Sequence, residues 1–117
     1  MYVNGEGMPG GRPNFPAAFA LYQRACTASN ARACSELGVM YLNGESVPRD
    51  PARAAQLFEA SCRGNHPRGC NNLGFVMVNG NGVPRDRDRG VQLLQAACRA
   101  NDELACRRVT EAMSAAP

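Results

Sequence analysis

The chain has 117 residues, 44% of them hydrophobic, and a formal charge of +3. That length suits one domain, and so small a charge leaves no electrostatic footprint for nucleic acid. All 13 basic residues are Arg, yet they are spread along the chain rather than gathered into a phosphate-gripping cluster.

Residues 1–13 read as the end of a helix followed by a loop, Gly5 to Pro13, rich in Gly and Pro. Met1-Tyr2-Val3-Asn4-Gly5 matches Met40-Tyr41-Leu42-Asn43-Gly44. The expectation is therefore a fragment that opens on the close of an earlier repeat, with any leader outside it. Asn14, Asp50 and Asp86 follow at steps of 36. Each suits a helix N-cap, where a side-chain oxygen accepts from an orphan backbone N–H. Pro51, directly after Asp50, fits the first helical position, where no N–H is needed.

A first helix then shows an apolar stripe of Ala54, Leu57, Phe58, Ser61 and Cys62, the spacing of one amphipathic face. The same stripe stands earlier as Ala18, Leu21, Tyr22, Ala25 and Cys26. It returns later as Gly90, Leu93, Leu94, Ala97 and Cys98. Gln23, Gln56, Glu59, Gln92 and Gln95 are left to face water.

A break follows at Arg63-Gly64-Asn65-His66-Pro67, with counterparts at Thr27-Ala28-Ser29-Asn30 and Arg99-Ala100-Asn101-Asp102. Gly and Asn at a helix end with Pro just beyond are stop signals. The second helix carries Cys70, Leu73, Gly74 and Met77 on one side, matched by Cys34, Leu37, Gly38 and Tyr41, then by Cys106, Val109, Thr110 and Met113. Gly in a helix interior costs about 1 kcal/mol relative to Ala, so its return at Gly38 and Gly74 predicts a close approach of two helices. Asn43-Gly44 and Asn79-Gly80-Asn81-Gly82 close the units as turns ahead of Val47-Pro48-Arg49-Asp50 and Val83-Pro84-Arg85-Asp86.

Self-similarity at a fixed period of roughly 20 to 50 residues is the mark of a solenoid. The chain reads as one all-α domain over 1–117, with the end of a preceding repeat at 1–13 and repeats at about 14–49, 50–85 and 86–117. In the last unit Thr110 replaces Gly, Glu111 stands where Val39 and Phe75 stood, and Arg107-Arg108 replace Asn71-Asn72. Polar changes of this kind are what a terminal, solvent-facing unit needs, and the expectation is a C-terminus at or near a true end.

The six Cys fall at steps of 8, 28, 8, 28 and 8. Eight residues along one helix span about 12 Å, beyond the roughly 7 Å limit for a disulfide. The break between the members of each pair folds the second helix back, so the prediction is Cys26 with Cys34, Cys62 with Cys70 and Cys98 with Cys106. Two alternatives stay open. Structural zinc prefers shorter Cys spacing and His partners, and His66 is the only His. Buried free thiols of a cytosolic protein are the other. Evenly paired Cys favour an oxidising compartment, periplasmic or secreted.

The combined pattern A-x-x-L-[FY]-x-x-[AS]-C, C-x-x-L-G-x-x-[YM] and G-x-x-V-P-R-D resembles the Sel-one-like repeat (SLR) family, relatives of the tetratricopeptide repeat. The period and the paired Cys resemble its cysteine-rich Hcp-type branch, from Met1 to about Met113. The resemblance implies a right-handed α–α superhelix of antiparallel helix pairs, with Cys26/Cys34, Cys62/Cys70 and Cys98/Cys106 each bridging one pair. It also implies an exported adaptor that binds a peptide or protein on its concave face. The alternative that it implies is a β-lactam-binding or weakly hydrolytic protein.

Residue chemistry favours the adaptor. A penicillin-recognising serine enzyme needs S-x-x-K, and the chain has no Lys; a metal-dependent one needs several His. His66 is expected to be an exposed turn residue without a catalytic role. Candidate contacts are the polar residues recurring on second helices and turns, namely Glu36, Asn43, Asn71, Asn72 and Asn79, since an Asn amide both donates and accepts. The expected partner is a protein or peptide, with no cofactor, metal, nucleic acid or membrane span, and a monomeric chain. A structural piece of the cell envelope without a discrete ligand is the third reading.

Overall fold

The computed structural model describes residues 15–114, with the side chain of residue 15 excepted. The expected helix end and loop over 1–13 and the Asn14 cap lie outside them. Six helices follow in order: α1 (Phe15–Thr27), α2 (Ala31–Asn43), α3 (Pro51–Arg63), α4 (Pro67–Asn79), α5 (Arg87–Arg99) and α6 (Glu103–Ser114). There is no strand among the described residues. The fold is an all-α solenoid, 46 Å long and 28 × 27 Å across.

The ends of the helices follow from local chemistry. Asp50 and Asp86 accept from the amides of Arg53 and Arg89, each at 3.1 Å, as their sequence positions predict. Asn30 and Asp102 do the same at the starts of α2 and α6, accepting from Ala33 at 3.0 Å and Ala105 at 3.2 Å. The turns between paired helices differ from expectation in one detail. The left-handed residues are Ser29, Asn65 and Asn101, at φ 71°, 64° and 71°, whereas Gly64 has φ −81°. Gly64 is needed for room instead, because a Cβ there would lie 2.7 Å from the Ala31 Cβ. At the ends of α2 and α4 the left-handed residues are Gly44 and Gly80.

Every pair is locked by a disulfide. Cys26–Cys34, Cys62–Cys70 and Cys98–Cys106 have Cα atoms 4.6, 4.5 and 4.6 Å apart, and no cysteine is free among the described residues. The zinc and free-thiol alternatives therefore do not hold in this structure.

The core is a strip that runs along the stack. Ala18, Tyr22, Ala33, Leu37, Met40 and Leu57 form its first section, and Ala54, Ala55, Phe58, Leu73 and Val76 the second. Leu94, Ala97 and Ala105 make the third. The close approaches predicted at Gly38 and Gly74 are present: a Cβ on Gly38 would sit 2.6 Å from the Phe58 ring, and one on Gly74 would sit 2.7 Å from the Gly90 carbonyl oxygen.

The helices sort into two layers. α2 packs on α4 and α4 on α6, whereas α1, α3 and α5 do not pack on one another. In a curved stack the layer whose members touch is the inner one. That layer positions the candidate site.

Candidate functional site

The solvent face of the inner layer is a grid built from repeat positions. Along α2 it shows Arg32, Glu36, Val39 and Asn43; along α4, Arg68, Asn72, Phe75 and Asn79; along α6, Leu104, Arg108 and Glu111. The spacing along each helix is 4, 3 and 4, the period of one helical face. Rows across the helices are 36 residues apart, so Glu36, Asn72 and Arg108 are neighbours in space because they are equivalent in sequence.

Polar side chains tie these rows together. The Asn72 amide Nδ2 donates to Ser35 Oγ at 3.2 Å, and Arg108 Nη1 donates to the Oδ1 atoms of Asn71 and Asn72 at 3.0 and 3.4 Å. The Arg108 guanidinium carbon lies 4.0 Å from the Phe75 ring centroid, a cation–π stack. Tyr22 donates to Glu36 Oε2 at 3.4 Å. Burial, and the charge of nearby Arg68, push the Arg108 pKa down, with partial relief from Asp102 and Glu111.

Between α4, α5 and α6 the face opens into a cleft of about 160 Å³, lined by Phe75, Val78, Asn79, Leu94, Arg108, Glu111 and Ala112. Phe75 is one of two large exposed hydrophobics among the described residues, at 36%.

The five residues expected to make contacts are placed differently. Asn43 and Asn79 are exposed, and neither side chain has a hydrogen-bond partner among the described residues. Glu36 and Asn72 are half-buried on the same face, each held by the bonds above. Asn71 is fully buried in the α4–α6 seam, where its oxygen braces Arg108 while its Nδ2 has no partner among the described residues. It underlies the face rather than forming it. His66 is partly buried in the turn before α4 and makes no side-chain cap.

Phe75 and Arg108, which meet at the cleft, were not among those expected contacts. The Arg107-Arg108 change is expected from the sequence to be solvent-facing capping. Arg107, Thr110 and Glu111 are indeed exposed, but Arg108 is half-buried and engaged. The available signal was the departure from the repeat at equivalent positions, Val39/Phe75/Glu111 and Glu36/Asn72/Arg108.

A second cross-repeat contact braces the same layer. Arg68 donates from Nε to Asp102 Oδ2 at 2.7 Å and from Nη2 to Oδ1 at 3.3 Å. Burial alone raises the Asp102 carboxyl pKa, but the Arg68 hydrogen bonds and the Ala105 and Leu104 amides bring it below its ordinary value. Among the described residues no helix is long and apolar enough to cross a membrane.

Comparison with known proteins agrees with this architecture. The Sel1 repeat family model matches residues 1–30, 31–66 and 67–102. Cysteine-rich protein B of Helicobacter pylori is 34% identical, with a TM-score of 0.71, covering 75% of this chain and 66% of that one. A Sel1 repeat protein of Oxalobacter formigenes is 25% identical, with a TM-score of 0.81, covering 92% and 43%. A protective antigen of uropathogenic Escherichia coli strains that displays an SLR fold is 27% identical, with a TM-score of 0.83, covering 92% and 22%. This chain thus spans between 22% and 66% of the lengths of these structures. No curated protein matches it. The stacked helices and their three disulfides agree with the three matched repeats over residues 1–102, which place the chain in the Sel1 repeat family.

Proposed function

We propose that this chain is an interaction scaffold that binds an extended peptide segment of a partner protein across the solvent face of α2, α4 and α6. Sel1-repeat proteins are generally scaffolds for protein interaction. The observation that carries the reading is the coincidence, on that one face, of free Asn amides at Asn43 and Asn79 with the exposed Phe75 ring and its apolar cleft. Asn amides satisfy the backbone of an extended chain through donor and acceptor together, and the ring gives an anchor of the type that dominates interface energies. The outer layer exposes mainly Gln and Arg, among them Gln56, Arg53, Gln92 and Arg89, and the cleft of about 200 Å³ that Gln56 lines with Glu59, Leu73, Met77 and Val83 holds no aromatic ring.

Three disulfides and the likeness to the Helicobacter cysteine-rich protein are consistent with an oxidising, extracytoplasmic compartment. We assign the chain to the exported type and to a monomer. The test is selection from a displayed random-peptide library, followed by binding of the enriched peptides to variants. Phe75→Asp and Asn79→Ala should weaken binding, and Gln56→Glu and Gln92→Glu should leave it unchanged. Absence of enrichment, or peptides sensitive only to the outer-layer changes, would overturn the reading. Turnover of a β-lactam by the same preparation would favour the alternative activity.

A further inference from the structure

We propose that the cleft between Phe75 and Arg108 receives the C-terminal residue of the partner, with its free carboxylate on Arg108 and its aliphatic side chain in the cleft. This rests on the scaffold reading and names the part of the partner that is read.

Arg108 is a cation without an ion pair. Its Nη1 is committed to Asn71 and Asn72, while Nη2 and Nε have no hydrogen-bond partner among the described residues. The two ion pairs among those residues are Arg63–Glu59 and Arg68–Asp102. The guanidinium is also half-buried and repelled by Arg68. A desolvated cation that cannot lose its proton gains most from an anion, and the Nε/Nη2 edge suits a carboxylate in two-pronged form. The Phe75 stack and the Asn71/Asn72 oxygens hold the group in place before any ligand arrives, which lowers the cost of ordering it. Buried, otherwise unexplained polar groups in the seam, Asn71 above all, fit that bracing role.

The rest of the cleft sets the other half of the ligand. Val78, Leu94, Ala112 and Phe75 make its wall apolar, and about 160 Å³ has room for one aliphatic side chain. Carboxylate and apolar group must therefore lie within one residue of each other. In an extended peptide, adjacent side chains point to opposite faces, so an internal Asp or Glu cannot place its neighbour in the same cleft. A C-terminal residue can, because its carboxylate and its own side chain leave the same Cα. Glu111 lines the cleft and repels negative charge there, so the carboxylate must sit against the Arg108 edge and a second negative charge is disfavoured. Asn79, also on the lining, is placed to bond the backbone of the residue before the last.

The experiment titrates the isotope-labelled chain with three short peptides, read by amide and arginine Nε–H spectra. They are acetyl-Gly-Ala-Leu with a free carboxylate, the same peptide as its C-terminal amide, and acetyl-Ala-Asp-Leu as its amide. The free acid should shift the resonances of Phe75, Val78, Arg108 and Ala112. The plain amide should bind at least about tenfold more weakly, the usual scale for losing a hydrogen bond to a charged group. Arg108→Gln should abolish the difference between acid and amide, and Arg108→Lys should restore part of it. No shifts at millimolar acid, shifts elsewhere on the chain, or equal binding of acid and amide would each overturn the proposal. So would an Asp-containing amide that binds as well as the acid. Library peptides that bind the inner face regardless of their terminus would leave the scaffold reading standing while this inference failed.

Discussion

The close approach of α4 to the backbone of α5 supplies the sharpest stability test. Gly74→Ala places a methyl group 2.7 Å from the Gly90 carbonyl oxygen, 3.0 Å from Leu94 Cγ and 3.2 Å from Leu93 Cβ. Helix propensity alone favours the change by about 1 kcal/mol. Overpacking opposes it by about 1–3 kcal/mol, and the upper end applies because the nearest atom is backbone, so α5 must move as a unit. The expected net effect is a destabilisation of about 1–2 kcal/mol, which lowers Tm by about 4–8 °C per kcal/mol for a domain of this size. Thr110 supplies the internal control, since it occupies the equivalent position on α6 and is exposed. Thr110→Ala exchanges a β-branched residue for the best helix former and should stabilise by about 0.5 kcal/mol. The same residue installed at the same repeat position should thus act with opposite signs. Urea titrations under oxidising conditions measure both. A Gly74→Ala chain as stable as the parent, or more so, would refute the argument from close approach.

Replacing Cys62 and Cys70 together by Ala should cost about 2.5 kcal/mol by the chain-entropy account of a closed loop, measured by urea midpoint; an unchanged midpoint would contradict it. Asp102→Asn keeps an N-cap but removes the charge opposite Arg68, and should cost at most about 1 kcal/mol at neutral pH because Arg68 is half exposed. Its pH signature follows from the depressed folded-state pKa of Asp102. That carboxylate stabilises the fold above its unfolded pKa of about 3.9, and the contribution is lost as pH falls through the folded value. The variant should therefore show a shallower loss of stability on the acid side of about pH 4 than the parent, and matching acid limbs would count against the clamp. Arg85→Ala removes the bond from Nε to the Val78 carbonyl at 3.1 Å and should lower stability by about 0.5–1 kcal/mol; hydrogen exchange should quicken in the last turn of α4 and not in α6.

The fold was legible because buried positions repeat. Tyr22, Phe58 and Leu94, or Leu37 and Leu73, are buried at equivalent places in each unit and so return at the same step. Caps at Asp50 and Asp86, and the crowding at Gly38 and Gly74, are also local or pairwise signals that one helix and its successor reveal. Contacts formed at the seam between second helices are not. Ser35 and Asn71 share a repeat position, and each is fully buried there, yet polar residues at a helical step read from sequence as surface. Likewise Arg49 and Arg85 read as part of a generally Arg-rich composition. In the structure their Nε atoms donate to the carbonyls of Leu42 and Val78, at 3.0 and 3.1 Å, and satisfy the open ends of α2 and α4. Neither role is visible until the chain has turned back on itself.

Periodicity and function pull on different rows of the same grid. A buried row must repeat, because every unit presents the next with an equivalent surface, and a changed volume there is felt at once. A row that opens to solvent on the inner layer is less constrained, and it is there that the units diverge: the half-buried Glu36, Asn72 and Arg108 run from acid through amide to base, and Val39, Phe75 and Glu111 from aliphatic through aromatic to acid. A ligand lying across the helices meets these rows end to end, so it encounters a directional surface although the framework beneath is nearly uniform. In this chain the sites of recognition are therefore to be sought where the repeat fails on the inner face, and Arg108 over Phe75 is the sharpest such failure.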